Sequence, residues 1–377
     1  MELNSAVEMI AAIRRGEMVV LLDEAQPGSE GALLMAAEKA NAESINFMAH
    51  QARGLICLAL DEARCAQLKL PLMAAGRSPN RLNFTVSIEA AEGVTTGISA
   101  GDRARTIEAA MAEGAGPADL VQPGHIFPVM AQPGGVMSCS AAPEAACDLT
   151  RLAGLKEGGV VVSILNDEGE VAQGEALLAF ARQHGLAVGC IADLIHHRLL
   201  HEGTIRRDAQ YVLPTKYGEF EVVAYEDKYK GVLHLALIKG EIEPDQPVLV
   251  RVQSAQLVRD LLGAHSDSGP EQWDVGRALQ AIAEAGSGVL VLLAAQESPK
   301  AVLGQLARYA QPSAPLPTPP NFKHRTLGVG AQILRDLKVR RLRLLNDPVS
   351  FTAISGYDME VEEFVAFGAL ALEGTAS

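Results

Sequence analysis

The sequence predicts two domains in tandem, the first of the α/β or α+β class and the second α+β. The 377 residues exceed what one ordinary hydrophobic core organises. Short apolar runs of strand length alternate with segments of helical periodicity through the first half, and three such runs follow one another early in the second half. No internal repeat period is visible, which excludes a solenoid.

The first half is expected to close near residue 195. It opens with an amphipathic helix that carries Leu3, Val7, Ile10 and Ile13 on one stripe. The apolar runs and helical patterns that follow predict strands at 18–22, 54–60, 84–90, 159–165 and 186–191, and helices at 33–40, 103–112, 141–152 and 175–184. Polar turns separate them at 23–30 and at 166–169.

A charged segment at 196–210 is expected to form a helical connector between domains at 1–195 and 211–377. In the second domain the apolar pattern predicts antiparallel strands at 220–225, 233–239 and 248–252, helices at 255–262, 273–285 and 330–337, and further strands at 288–293 and 341–345. The proline-dense segment 311–320 is expected to be a surface loop or linker, because proline is excluded from the interior of regular structure.

Charge and cysteine content limit the partners and the compartment. The formal net charge is −14 and no basic stripe interrupts the sequence, so nucleic acid and anionic membranes are poor partners. A pocket for a phosphorylated metabolite is still compatible with that charge. The five cysteines are odd in number and lack CxxC spacing, which favours reduced thiols. Neither a signal segment nor an apolar run of about 20 residues is present, so the cytoplasm is expected.

Several long strings carry a family resemblance. Segments 93–103 (GVTTGISAGDR), 122–128 (QPGHIFP) and 151–155 (RLAGL) resemble 3,4-dihydroxy-2-butanone-4-phosphate synthase. Segments 213–220 (LPTKYGEF), 234–237 (HLAL) and 328–334 (GVGAQIL) resemble GTP cyclohydrolase II. Their order is that of the fused bifunctional riboflavin-biosynthesis family. The resemblance therefore implies a synthase-like domain followed by a cyclohydrolase-II-like domain, and a homodimer with active sites across the synthase interface.

The synthase reaction implied by this resemblance converts ribulose 5-phosphate to dihydroxybutanone phosphate and formate. It needs a divalent metal to hold an ene-diol, and carboxylates or histidine to move protons. The positions aligned with the family's metal ligands, acids and phosphate-binding arginine carry other residues, namely Gly28, Ala32, Cys139, Ala142, Pro143 and Ser163. The expected consequence is loss of the magnesium site and of this reaction.

Other residues of the resembling motifs remain, and with Cys139 they are the candidates for a remnant site: Glu30, Cys57, Thr95, Asp102, Arg103, His125 and Glu144. Of these, Arg103 is a ligand-binding candidate. Each has a structural alternative. Glu30 suits a helix start, Cys57 a strand interior, Asp102 with Arg103 a helix N-terminus, and His125 a hydrogen-bonded core position. Magnesium held by Glu30 and His125 alone would lack the oxygen ligands it requires.

The cyclohydrolase II reaction implied by the second half needs a zinc ion bound by three cysteines. The aligned positions are Gln256, Ser266 and Ser268, while His265 and Asp267 could bind zinc only weakly, so no zinc is expected. The phosphate-contacting segment aligns with 295–303 and has lost both arginines. Lys300 and Arg325 remain as ligand-binding candidates, while the acid that acts on substrate aligns with Thr326.

Two classes of function follow, and neither uses a cofactor. One is a pseudoenzyme that binds a phosphorylated small molecule or an active riboflavin-biosynthesis enzyme without turnover. The alternative is a repurposed, metal-independent enzyme for another phosphosugar or nucleotide-like metabolite, with Cys57, Cys139 or His125 as nucleophile or base. For this alternative the pocket is expected to be lined by Ser29, Glu30, Cys57, Cys139, Ser163 and His125. A decaying duplicate is disfavoured, because drift would also damage the apolar pattern.

Overall fold

A computed structural model gives the structure of the chain in two compact units. The described residues are 3–23, 29–73, 82–229, 231–264, 273–294, 297, 299–310, 320–346 and 359–367. Contacts divide the chain into units Met1–His197 and Arg198–Ser377, and each unit has its own mixed sheet. The two-domain α/β architecture expected from the sequence is confirmed. In the part of the chain that is described, no helix is both long and apolar enough to cross a membrane.

The strands of the first sheet have the spatial order β4-β5-β3-β6-β2-β1-β7. They are β1 (Val19–Leu22), β2 (Gly31–Ala36), β3 (Cys57–Leu60), β4 (Ile88–Ala90), β5 (Leu120–Met130), β6 (Gly158–Ser163) and β7 (Ala187–Cys190). The pairs β1–β2, β2–β6, β3–β6 and β4–β5 are antiparallel, whereas β1–β7 and β3–β5 are parallel. The centre of this sheet is almost wholly apolar and buried, which makes it the core of the unit.

The helices of the first unit are α1 (Ala6–Arg15), α2 (Ala42–Phe47), α3 (Glu62–Gln67), α4 (Ala100–Met111), α5 (Ala142–Leu152) and α6 (Glu175–His184), and α7 (Ile191–His201) crosses the boundary to the second unit. Two expectations were wrong. Segment 33–40 is mainly strand β2, because a short, fully buried apolar run has no periodicity that separates strand from helix. On α1 the buried face contains Met9 with Ile10 and Ile13, while Val7 is 61% exposed.

The strands of the second sheet have the order β14-β13-β11-β12-β10-β9-β8. They are β8 (Ile205–Thr215), β9 (Gly218–Asp227), β10 (Leu233–Lys239), β11 (Pro247–Ser254), β12 (Gly288–Leu293), β13 (Arg341–Leu344) and β14 (Glu360–Phe364). The antiparallel arrangement expected for β9, β10 and β11 is confirmed for β9 with β10 and is wrong for β11, which pairs in parallel with β12 and β13. Strands β8 and β12 also pair antiparallel, with β9 and β10 respectively. The helical connector ends at His201. Residues 205–209 belong to the edge strand β8. Its many charged residues obscure the two-residue alternation that would predict a strand.

The helices of the second unit are α8 (Val275–Ala285), α9 (Pro299–Ala310) and α10 (Pro320–Asp336), and a single π-type turn covers Leu257–Leu261. Within the proline-dense segment, 311–319 lies outside the described residues. Pro320 was expected in the same loop but begins α10, a position that proline tolerates because the first amide groups of a helix have no intrahelical acceptor. The helix expected at 330–337 is therefore the end of a longer one.

Candidate functional site

A cavity of about 270 Å³ opens beside the first sheet where α5 begins. Strand register explains its lining. Ala32 lies opposite Ser163, and Cys57 lies opposite Val161. Paired residues project to the same face of a sheet, as do residues two apart along a strand. These four side chains therefore face the cavity together.

The remaining described lining is mostly apolar. Residues 140–143 at the start of α5 contribute Ser140, Ala141, Ala142 and Pro143, and the other lining residues are Asp23, Glu30, Gly31, Leu55, Ala59, Leu82, Val129 and Val171. Two carboxylates thus belong to the lining, and none of its described residues is a lysine, arginine or histidine. The sequence places Asp23 only in a polar turn, and no motif distinguishes it.

The cavity brings together residues that are far apart in sequence. Ala32, Ala142, Pro143 and Ser163, which align with catalytic and metal-ligating positions of the resembling family, all line it. So do Glu30 and Cys57, while Gly28 lies outside the described residues. The remaining three residues that were expected in the lining, Ser29, Cys139 and His125, are not among the residues that form it.

The two half-buried cysteines of this region are poor nucleophiles. Burial raises the pKa of Cys57 to about 12, and its Sγ lies 3.6 Å from the carbonyl oxygen of Leu55. Burial, and then the charge of Glu144, also raises the pKa of Cys139. Because the thiolate is the reactive form, both thiols are in the unreactive state near neutral pH. None of the five cysteines is in a disulfide in the structure.

Thr95 and Asp102 fix the loop before α4. The Asp102 carboxylate accepts hydrogen bonds from the Thr95 amide (3.2 Å), the Thr95 hydroxyl (3.0 Å) and the Gly97 amide (2.9 Å). Burial acts against its charged form, but these bonds outweigh it and hold the pKa of Asp102 below its ordinary value. Arg103 follows with its Nε buried and without a hydrogen-bond partner, and burial lowers its pKa.

His125 pairs with Glu89 instead of lying in the core. The Nδ1 atom of His125 is 2.7 Å from Oε2 of Glu89, and the His125 side chain is 43% exposed. The expected hydrogen bond is present, but the expected core position is wrong, because this end of β5 is open to solvent. Sequence reasoning missed Glu89, which lay inside a predicted strand.

Glu144 is a buried structural acid at the start of α5. Its Oε1 accepts the Gln132 amide at 2.9 Å, while Oε2 is buried without a hydrogen-bond partner. Burial raises the pKa of Glu144 despite that hydrogen bond. Its carboxylate therefore holds the turn that precedes the helix.

The residues present do not fit the divalent metal that the family resemblance implies. Among the described residues, no group of three or more His, Cys, Asp or Glu side chains could hold a metal ion. At the cavity, Ala32, Ala142 and Ser163 supply no carboxylate or imidazole where ligands and acids would be needed. Magnesium requires several oxygen ligands in near-octahedral geometry.

In the second unit, Asp260 organises the segment that aligns with the zinc-binding region. Its carboxylate accepts the Gln256 amide (2.8 Å), the Gln253 side chain (2.7 Å) and the Val275 amide (3.2 Å), and it forms an ion pair with Arg259 at 2.8 Å. Gln256 precedes the π-type turn. The other zinc-aligned residues, Ser266 and Ser268, lie with His265 and Asp267 outside the described part of the chain.

For the expected ligand-binding residues of the second unit, only the backbone position is described. Lys300 lies in the first turn of α9 and Arg325 in the first half of α10, and both side chains lie outside the described part of the structure. Gln332, in the family-like string 328–334, has a defined structural role. It accepts from the amide and hydroxyl of Thr204 and donates to the Leu199 carbonyl at 2.8–3.0 Å.

Comparison with known proteins agrees with the two-unit division. The family model of 3,4-dihydroxy-2-butanone 4-phosphate synthase matches residues 7–197, and that of GTP cyclohydrolase II matches residues 206–366. The chain belongs to the 3,4-dihydroxy-2-butanone 4-phosphate synthase family. It combines a synthase domain with a cyclohydrolase II domain in the order that the sequence strings predict.

Relatives resemble the chain over nearly its full length. The 3,4-dihydroxy-2-butanone 4-phosphate synthase of Pseudomonas aeruginosa is 48% identical over 97% of this chain and 99% of its own. Riboflavin biosynthesis protein RibBA of Aquifex aeolicus is 42% identical over 96% of this chain and 92% of its own. The crystal structure of RibBX, a two-domain 3,4-dihydroxy-2-butanone 4-phosphate synthase from A. baumannii, matches with a TM-score of 0.80 and 41% identity. That match covers 96% of this chain and all of the other. The names of these relatives are those of riboflavin-biosynthesis proteins, so inactivity is a proposal about this chain and not a property of its family.

Proposed function

We propose that this chain catalyses neither parent reaction and acts as a riboflavin-biosynthesis-family pseudoenzyme that binds a small molecule or a protein partner. The observation that carries the proposal is the composition of the first-unit cavity. Ala32, Ala142, Pro143 and Ser163 line one pocket at positions that align with catalytic groups of the family. A pocket retained with these aligned groups replaced can bind a ligand but lacks the metal ligands that would hold the charge of an ene-diol.

The size of the loss supports inactivity. Removal of one electrostatic donor to a developing oxyanion typically costs on the order of 10²–10³ in rate, and a metal contributes more. Several such groups are missing together, and groups that act as a unit lose most of their effect with the first deletion. Zinc chemistry in the second unit would likewise need thiolates, where the sequence has Gln256, Ser266 and Ser268.

The thiols give the alternative of a repurposed enzyme little support. Cys57 lines the cavity, but its raised pKa keeps it protonated. Cys139 is also protonated, and His125 is engaged by Glu89 away from the cavity lining. The binding function therefore accounts better for the pocket. A homodimer in the cytoplasm, and an active riboflavin-biosynthesis enzyme as partner, complete this proposal.

Turnover assays test the proposal directly. Purified protein with magnesium and ribulose 5-phosphate is expected to release no more formate than a heat-inactivated sample, and with GTP to release no pyrophosphate. Elemental analysis is expected to find no stoichiometric zinc. An active synthase assayed in parallel shows that the conditions support the reaction. Formate release above the heat-inactivated control, or one zinc per chain, would contradict the proposal.

Restoration variants give the matched test. Ala142→His alone restores one aligned group and is expected to give no formate, because the other groups of the unit are still missing. The combined variant carries the substitutions Gly28→Glu, Ala32→Asp, Cys139→Arg, Ala142→His, Pro143→Thr and Ser163→Glu. It is expected to release formate in a magnesium-dependent manner. Release of formate by the unmodified chain at the rate of the combined variant would show that these positions are not the ones that matter.

A further inference from the structure

A second cavity, of about 340 Å³, lies wholly within the second unit. Four elements form its walls: the end of α7 with the turn after it, the start of β8, the end of β9 and the end of α10. Every residue of its lining belongs to the part of the chain that is described. Its size is at the lower end of the range for ligand pockets, which starts at about 300 Å³. The cavity can therefore hold a small molecule.

This cavity is separate from the sites of both parent reactions. None of its lining residues belongs to the first unit, or to the segments 256–268, 295–303 and 325–326 that align with functional parts of cyclohydrolase II. Its residue from a family-like string is Gln332, whose side chain is already bonded to Thr204 and Leu199. A ligand of this cavity would thus be one that neither parent reaction accounts for.

The two carboxylates of the lining are already engaged by positive groups. Oε2 of Glu202 accepts hydrogen bonds from Nε and Nη2 of the buried Arg198, at 2.9 and 2.7 Å. Oδ2 of Asp336 accepts the Tyr225 hydroxyl at 2.7 Å and lies 3.6 Å from Nη1 of Arg207. Each acid therefore has a guanidinium group of the same unit beside it, which offsets its charge.

Arg335 leaves one positive charge over in this lining. Within the described part of the chain, its guanidinium group makes no hydrogen bond or ion pair. Its position in the last turn of α10 suits a cation, because the carbonyl end of a helix is negative, but that preference does not require a cavity wall. The remaining ionisable side chain of the lining is His201, which can only add positive charge. In a chain of net charge −14, this cavity is thus locally positive.

We propose that this cavity binds the oxyanion group of a small polar metabolite, a phosphate or a carboxylate, on the guanidinium group of Arg335. A guanidinium group binds either oxyanion through two parallel hydrogen bonds. Arg207, which pairs with Asp336, brings a second guanidinium group to the same lining. The apolar lining residues from α7 and β8 can contact the carbon skeleton of the ligand. This site is additional to the first-unit cavity of the proposed function and does not depend on it.

Calorimetry and hydrogen exchange on the full chain test the site. Three probes distinguish the two kinds of oxyanion: inorganic phosphate, ribose 5-phosphate and succinate. At least one is expected to bind with a Kd of about 1 mM or below, and to slow amide exchange in 199–207 and 332–336. Binding of the phosphate probes assigns the site to a phosphate group, and binding of succinate alone assigns it to a carboxylate. Absence of binding by all three at about 10 mM, or slowing confined to the first unit, would overturn the proposal.

A charge-removing variant and a matched control identify the anchor. Arg335→Gln is expected to weaken binding of the probe about tenfold, because it removes the charge-assisted hydrogen bonds. Arg340→Gln removes the same charge from an exposed arginine that does not line the cavity, and it is expected to bind as the wild type does. Arg335 is itself exposed, so both variants should fold, which circular dichroism checks. Equal affinity of the two variants for the probe would overturn the assignment.

Discussion

Gly97 is a position where one added methyl group should disturb a side-chain contact of the first unit. Its backbone lies in the left-handed region at φ +78°, and a Cβ atom there would lie 2.1 Å from Oε2 of Glu89. That oxygen is the one that pairs with His125. Gly97→Ala therefore forces Glu89 to move, and with it the hydrogen bond that holds the His125 imidazole.

Gly114 separates backbone strain from the clash. Its φ is +77°, nearly the same as that of Gly97, but no atom lies within 4 Å of where its Cβ would stand. The left-handed backbone costs an alanine about 1 kcal/mol at either position. Losing a charge-assisted hydrogen bond costs about 1.5–3 kcal/mol, and because His125 is 43% exposed the lower end applies. The expected losses in unfolding free energy are about 2.5 kcal/mol for Gly97→Ala and about 1 kcal/mol for Gly114→Ala.

The assay has to report on the first unit. The single tryptophan and all six tyrosines lie beyond residue 198, so their fluorescence follows the second unit. Far-ultraviolet circular dichroism during denaturation follows both units and reveals the transition of the first. Gly97→Ala should lower the denaturation midpoint of that transition by clearly more than Gly114→Ala does. If both variants lower the midpoint equally, the close approach of Glu89 to Gly97 has no energetic effect and the reasoning fails.

Two further substitutions probe buried hydrogen bonds and charge. Gln332→Ala removes three hydrogen bonds to Thr204 and Leu199 and should lower the unfolding free energy of the second unit by about 2 kcal/mol. The side chain of Gln280 bonds Glu284 on the surface of α8, so the control variant Gln280→Ala should change this free energy by less than about 0.5 kcal/mol. Equal losses of unfolding free energy in the two variants, measured by denaturant titration of Trp273 fluorescence, would contradict the prediction. Burial raises the pKa of Glu144 above its usual 4.5, so the folded state favours the protonated carboxyl group. The stability that this group contributes at low pH is therefore lost as the pH rises from 4.5 through the pKa of the folded state. Glu144→Gln keeps an acceptor but cannot ionise, so its stability relative to the wild type should increase from about pH 4.5 upward, and an advantage independent of pH would contradict this.

Most strands and helices could be predicted because their boundaries carry local signals. The helix at 175–184 ends at Gly185, whose left-handed φ of 64° suits a glycine, and strands β10 and β12 have the expected bounds. The failures have physical causes. In β2 both faces are buried, so the alternation that identifies a strand is absent. In β8 most side chains are exposed on both faces, so the many charged residues show no alternation that would identify a strand.

The candidate site was predictable only in part. Family resemblance pointed to Ala32, Ala142 and Ser163. Strand register brings Ala32 and Ser163 to one cavity, which the start of α5 with Ala142 also lines. Sequence gave no sign that His125 would turn towards Glu89, since that contact joins residues 36 positions apart.

The strings that reveal the family are largely those that build the scaffold. Asp102 in 93–103 closes the loop before α4 with three hydrogen bonds, and Gln332 in 328–334 ties α10 to Thr204 and Leu199. The folded state requires such residues whether or not a reaction takes place, because their loss leaves buried donors and acceptors unpaired. Ala142 and Ser163, at the cavity, have no comparable structural role. A family match carried by scaffold strings therefore establishes the fold, while activity has to be argued from the groups that face the cavity. In this chain Ala32, Ala142, Pro143 and Ser163 face it without a charged group, and the Cys57 thiol is protonated.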